Sequence, residues 1–375
     1  MLPTWLDPRR DVADLPDSRR ETRNKLHPLQ ERLMRVRCAV LSGVEDWVGM
    51  AAVAPEQEAW WQGFLDLPNG IASHDPLSAV LGRIDPVAFK TAFTAWAPAA
   101  LPGLADEPGC VAGKAVRGSR EGATGAGPLV SAVASRARWV LAQPAVAAKS
   151  TESTAIPALL RLLDLHGAVV SSDAMGCQKA IAQTIIEAGA EYGLALKATH
   201  PTVCDDVPRW WETDVARGRW LGQETVEKDP GRIEIRRDAL SDRIDWLETK
   251  PDWAGLQAIG RVESTRLIGD QTRTACRSFL GACPQRDRVA APVRGHWGSE
   301  PQQHGVLAVP FGEDAGRTRK DHAAENLALM RRMTLNRLRR NGPPRDSIRR
   351  RQRRAALNED YRSRLLLGVP TPATT

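Results

Sequence analysis

The stretch Ala168–Ala198 constrains the fold more than any other part of the chain. Ala168, Val169, Val170 and Ser171 make a short apolar run with β-branched residues, which reads as a buried strand. Asp173 stands at the carboxyl end of that run, followed by the turn residues Met175-Gly176. From Cys177 the period becomes helical, with Ala180, Ile181, Thr184, Ile185 and Ala188 on one stripe. Gly189 suits the position just past a helix end, and Tyr192 to Leu196 reads as the next strand. A strand, an acid, a helix and a strand in this order imply a parallel pair, because parallel strands need a crossover. An acid at the carboxyl end of such a strand lies where open α/β sheets place their sites. Taken alone, the segment reads more readily as a helix N-cap or a solvated loop acid, and it is the rest of the chain that changes this balance.

The flanking sequence extends this unit. Residues 1–100 read as a helical N-terminal domain, and the Pro/Gly-rich segment Ala97–Gly109 as a boundary. Cys110–Val116, Leu129–Ser135 and Arg138–Leu141 read as strands, the last two close enough to pair antiparallel, and Ile156–Leu165 as a helix. The order β-β-β-α-β-α-β is that of an RNase H-like mixed sheet with flanking helices, an α/β (α+β mixed) architecture. In such a sheet, acids on adjacent central strands meet at one edge of the crevice. The first part of this core spans 108–217, and a β-rich insertion follows at 218–285, where Arg232–Arg236, Ile259–Leu267 and Thr272–Phe279 alternate. The core resumes with helices at 286–342, and 343–375 forms a basic tail.

Composition narrows the partners. Lys+Arg exceed Asp+Glu by 52 to 45, a net charge of +7. The surplus is modest, but Arg331 to Arg354 holds eleven Arg against one acid, Asp346. A run this dense suits a polyanion, with a solvated helical tail as the plainer alternative. The six cysteines form neither a C-x-x-C pair nor a secreted disulfide pattern, and no apolar run approaches the ~20 residues that span a bilayer. The start of the chain lacks an apolar signal core, so an intracellular, cytoplasmic protein is expected.

Several motifs then carry a resemblance. They are Asp17-Ser-Arg-Arg20, His27-Pro-Leu29, Asn69-Gly-Ile-Ala-Ser-His-Asp75, Gly113-Lys114, Arg117-Gly-Ser119 and Leu129-Val-Ser-Ala132. Further on stand Thr154-Ala-Ile-Pro157, Asp173-Ala-Met-Gly-Cys-Gln178, His296-Trp-Gly298 with Glu300, Phe311-Gly-Glu-Asp314 and Glu325-Asn-Leu-Ala-Leu329. On these the chain resembles, over nearly its whole length, the bacterial insertion-sequence transposases of the H-repeat-associated kind, within the DDE (Asp-Asp-Glu) class. The resemblance implies DNA strand cleavage and transfer at two Mg²⁺ ions, with Mn²⁺ a possible substitute, held by three carboxylates. The middle acid maps to Asp173 and the third to Glu300, which are therefore the expected catalytic and metal-binding residues. The first acid is missing, since Ala112 stands directly before Gly113-Lys114. Pro128, Ser299, Gly305, Ala308 and Pro310 also depart from the family pattern, and each change can arise from one kind of transversion. A decayed copy, or a sequence carrying biased errors, accounts for that set.

Two functions follow. The first is an Mg²⁺-dependent transposase that binds its element's ends, impaired at position 112. The second is a DNA-binding remnant that no longer cuts. Both take double-stranded DNA as partner, without a membrane, and the resemblance adds self-association on paired ends and work at the bacterial nucleoid. The basic residues expected at DNA are Lys114, Arg117, Arg294, His296, Arg317, Arg319, Lys320, Arg337, Arg340, Arg349, Arg350 and Arg351.

Overall fold

The structure is a computed structural model. It describes residues 15–19, 26–53, 58–63, 65–71, 77–99, 108–114, 129–134, 139–142, 152–174, 176–196, 200–213, 223–229, 231–289, 293, 305–341 and 346–367. Among the described residues the first elements are the helices α1 (Leu29–Leu41), α2 (Trp47–Val53), α3 (Glu58–Trp61), α4 (Leu77–Arg83) and α5 (Pro86–Ala99). The strands β1 (Pro108–Lys114), β2 (Leu129–Ala134) and β3 (Trp139–Ala142) follow, then α6 (Glu152–Leu160), β4 (Val169–Ser172), α7 (Lys179–Glu187), β5 (Glu191–Ala195) and α8 (Pro201–Trp211). Next come β6 (Gln223–Asp229), β7 (Arg232–Ser241), β8 (Ala258–Ile268) and β9 (Gln271–Gly281). Helical turns at 286–289 (α9) and 305–308 (α10) lead to α11 (Ala323–Asn341), α12 (Ile348–Leu357) and α13 (Glu359–Leu367).

Among the described residues nine strands join one sheet in the order β3-β2-β1-β4-β5-β9-β8-β7-β6. β1 pairs antiparallel with β2, and β2 with β3, while β1, β4 and β5 run parallel. The sheet is mixed, as expected, and the chain order β-β-β-α-β-α-β read from the sequence holds from β1 to β5. The two parallel neighbours are possible because α6 and α7 supply the crossovers. Gly189 ends α7 with φ +70°, a conformation that costs glycine nothing.

The β-rich segment is continuous with the sheet. β9 pairs antiparallel with β5, and β8, β7 and β6 extend the ladder outward. Alternation along these strands feeds two cores. Ala239, Ile259 and Leu280 join the side chains of α6, α7 and α8 on one face. Their neighbours Leu240, Ala258 and Phe279 pack on the other face with Val289 and Val293. Each fully buried Leu, Ile or Phe contributes on the order of 1.5–3 kcal/mol.

A third core gathers α1 to α5 with α11, α12 and α13, so residues from both ends of the chain share one interior. Several quoted motif residues act here as ties. Ser18 donates to the Arg83 carbonyl at 2.6 Å, and Arg19 bridges Asp17 to the His27 carbonyl. Asn326 donates to the Leu81 and Ile84 carbonyls at 2.8 and 3.0 Å, satisfying the end of α4. Glu325 pairs with Lys90, and Glu313 with Arg332 at 2.8 Å in a fully buried ion pair. No helix among the described residues is long and apolar enough to cross a membrane.

Candidate functional site

The site is built at the carboxyl edge of the central parallel strands. β4 is buried along its whole length, and Asp173 emerges from its end half-buried. A tight turn follows, in which the Gly176 N–H meets the Asp173 carbonyl at 3.1 Å and its Oδ1 at 3.4 Å. Glycine is required at 176, because a Cβ there would collide with the Ser172 hydroxyl. The N-cap of α7 is Gln178, so Asp173 does not serve as that helix's cap. The carboxylate sits where a site acid would, and the N-cap explanation for it is removed.

The neighbouring position is fixed by register. In the parallel ladder Cys110 lies opposite Ser171 and Val111 opposite Ser172. Ala112 and Asp173 each follow by one residue, 61 positions apart in sequence and adjacent at one edge of the sheet. On its other side Ala112 pairs with Ser131 of β2. An acid at 112 would stand beside Asp173, whereas alanine brings no donor atom.

The donor set can be tested on chemistry alone. Two hard cations need carboxylate oxygens from several residues, one of them shared. Among the described residues no group of three His, Cys, Asp or Glu could hold a metal ion. Among the described residues at this strand end Asp173 brings a single carboxylate, and Ala112 brings no donor atom. Glu300, Arg117, Arg294 and His296 lie outside the described residues, and Lys114 is described only as the last residue of β1.

The basic residues separate into two groups. Arg317, Arg319, Lys320, Arg340, Arg349 and Arg350 are exposed. Arg337 and Arg351, expected at DNA, are instead buried. The Arg337 guanidinium lies 5.2 Å from the Trp96 ring centre. Arg351 crosses to the end of α11 and donates to the carbonyls of Leu338 at 2.6 Å and Arg339 at 3.4 Å. Arg362 repeats this for α12, donating to Ala355 while stacking 4.2 Å from the Trp60 ring centre. A planar guanidinium with five donors satisfies helix-end carbonyls and packs on indoles, and cations favour the negative end of the helix dipole. Part of the Arg-rich end therefore builds the helical body. Its exposed remainder on α12 is Arg349, Arg350, Arg353 and Arg354, which lie together opposite the buried Arg351, Gln352 and Ala355.

The interior arginines were missed by sequence reasoning, which treats a charge run as solvated. Their signal was faint: Ala355, Tyr361, Leu365 and Leu366, all buried, recur among the charges.

Comparison with known proteins bears on the whole chain. A family model described as DDE_Tnp_1-associated matches residues 10–97. The chain is 46% identical over 268 residues to "Uncharacterized protein in dhlA 3'region" of Xanthobacter autotrophicus, covering 71% of this chain and 91% of that protein. It is 31% identical over 359 residues to "Putative transposase YncI" of Escherichia coli O157:H7, covering 93% and 92%. It is 29% identical over 366 residues to "H repeat-associated putative transposase YhhI" of Escherichia coli K12, covering 95% and 97%.

Proposed function

The chain belongs to the family of the H repeat-associated transposases, and from that premise we propose that it is a DDE-type DNA transposase whose cutting centre has lost its first acid. Asp173 is the middle acid in this reading, Glu300 the third, and Ala112 occupies the place of the first. The observation that carries it is the pairing of Val111 with Ser172 in the central parallel ladder. That pairing makes 112 and 173 neighbours, as two acids sharing a metal ion would have to be.

Double-stranded DNA is the partner, as element ends and as target, with residues 1–100 taking part in end recognition and the protein self-associating on paired ends. Arg317, Arg319, Lys320, Arg340, Arg349 and Arg350, all exposed, supply phosphate contacts together with Lys114, Arg117, Arg294 and His296. Mg²⁺ or Mn²⁺ is the ion the family chemistry calls for. Asp173 and Glu300 alone would hold one ion weakly. Loss of one well-placed electrostatic contact costs ~10²–10³-fold in rate, and a bridging ligand costs more. Ala112 itself favours a second reading, a DNA-binding remnant that no longer cuts.

The deciding experiment compares the full chain with its Ala112→Asp variant on duplex DNA bearing the element's ends, with Mg²⁺ or Mn²⁺. Cleavage gained by Ala112→Asp, and lost again when Asp173→Ala is added, supports the impaired transposase. Binding without cleavage in every variant supports the remnant. Strong cleavage by the unmodified chain would show that the first acid lies elsewhere.

A further inference from the structure

The outer part of the β6–β9 arm carries arginines on one face. Side chains directly opposite each other on an antiparallel ladder share a face. Glu234 lies opposite Arg266, and Arg266 opposite Arg273. Arg236 lies opposite Ser264, and Asp238 opposite Val262, which in turn faces Arg277. Arg232, Arg236, Arg266, Arg273 and Arg277 therefore stand on the same side of β7, β8 and β9.

One carboxylate organises this face. Glu234 is only 3% exposed, beneath the guanidinium groups that surround it. Arg232 pairs with it, Arg236 meets it at 3.0 Å, Arg266 at 3.3 Å, and the Ser264 hydroxyl donates at 2.9 Å. Arg236 also reaches Glu227 on the edge strand at 3.1 Å. The same face also carries Asp229, opposite Arg232, and Asp238, in line with Arg277, so the five arginines stand against Glu227, Asp229, Glu234 and Asp238 and exceed them by one positive charge. Arg273 is exposed and has no ion-pair partner among the described residues, yet it stands directly opposite Arg266. Like charges opposed on a ladder destabilise a sheet. An external anion would relieve that.

The arm's direction sets what it can meet. β9 runs antiparallel to β5, with Ala195 opposite Phe279. Residues 273–277 therefore continue past the carboxyl end of β5, the edge at which Ala112 and Asp173 lie. At ~3.4 Å per residue, Arg273 and Arg277 are about 14 Å apart along the strand, close to four nucleotide steps of a duplex. Nearer the core the same sheet face is covered by Val289 and Val293, from which the sequence runs on towards Glu300.

We infer that this arginine face of the β6–β9 arm docks the phosphate backbone of duplex DNA, guiding the duplex past the carboxyl edge of β1 and β4. The partner's identity rests on the transposase reading. The surface itself rests on the Glu234 fan and the Arg266–Arg273 opposition. Glu234 acts as a positioning residue, fixing guanidinium groups that would otherwise repel one another.

The test is binding of a labelled duplex to the full chain across a series of salt concentrations. Arg266→Ala/Arg273→Ala is expected to lower affinity roughly tenfold per lost contact near ~0.1 M salt, and to flatten the slope of log K against log salt by ~0.9 per contact. Arg237→Ala, on the opposite face and paired with Glu224, should change neither quantity. Should the double variant prove unstable, Arg273→Glu alone keeps the test, because that side chain is exposed and outside the Glu234 fan. It should weaken binding more than Arg273→Ala. Unchanged affinity and slope in Arg273→Glu would overturn the docking surface and leave the transposase reading standing. Failure of the unmodified chain to bind duplex DNA would remove both.

Discussion

Asn336 and Val140 form a two-bond clasp between a helix and the edge of the sheet. The Asn336 amide donates to the Val140 carbonyl at 2.8 Å, and its oxygen accepts from the Val140 N–H at 3.0 Å. Both residues are fully buried. The side chain imitates a further strand beside β3, satisfying an edge that would otherwise have to pair elsewhere or face solvent. It also joins the helical body to the sheet through α11.

Asn336→Leu should therefore be costly. It leaves a buried donor and a buried acceptor unmatched, each worth about 1–3 kcal/mol. A loss of roughly 2–5 kcal/mol is expected in urea denaturation, with faster hydrogen exchange at the Val140 amide. A loss below ~0.5 kcal/mol, as at an ordinary surface position, would mean the clasp contributes little.

The Arg332–Glu313 pair makes a second prediction, because both side chains are almost wholly excluded from solvent. Arg332 also donates to the Ala328 carbonyl at 2.8 Å. Arg332→Met removes the cation bonded to the buried Glu313 carboxylate, leaving Arg331 as a nearby charge, and should cost up to ~3–5 kcal/mol. Arg332→Met combined with Glu313→Leu should recover a large part of that loss. Additive losses in the double variant would contradict the interpretation.

Glu234 predicts a pH dependence. Burial pushes its carboxyl up, but hydrogen bonds from Arg232 and Ser264, the charge of Arg236 and the hydrogen bond from Arg266 outweigh it and hold the pKa to about 2, below the usual 4.5. A lowered folded-state pKa gives stability that is present above the unfolded value and lost as pH falls. The loss should run from about 4.5 down to about 2. Because Arg232 and Arg266 are 40% and 51% exposed, screening limits the effect to on the order of 1–3 kcal/mol. Glu234→Gln should lower stability above that window and flatten the profile within it. A profile unchanged by the substitution would rule out Glu234 as its source.

Two glycines should respond in opposite directions. Gly176→Ala drives a Cβ into Ser172 and should cost roughly 1–3 kcal/mol while displacing Asp173. Gly305 is exposed in a helical turn, and a Cβ added there would meet no atom within 4 Å. Gly305→Ala should gain up to ~1 kcal/mol. Among the described residues, then, nothing stands in the way of a larger side chain at 305. Thermal melts of the two variants check both signs.

The sequence alone determined the local elements of the site. β4 and α7 were legible because four buried residues in a row and a stripe at helical spacing are properties of adjacent positions. Asp173 could be put at a strand end for the same reason, whereas Ala112 stood out only against the pattern of the family that the chain resembles. Tertiary structure decided the rest. That Ala112 and Asp173 become neighbours is a matter of ladder register, which no local window contains. That β6 to β9 join the central sheet depends on β5 accepting β9 along its free edge. The arginines diverge most. Arg350 and Arg351 are consecutive, yet one is exposed and the other closes the end of α11. Charge is written in the sequence, but whether a guanidinium meets solvent, an indole or a helix-end carbonyl depends on what folding brings beside it.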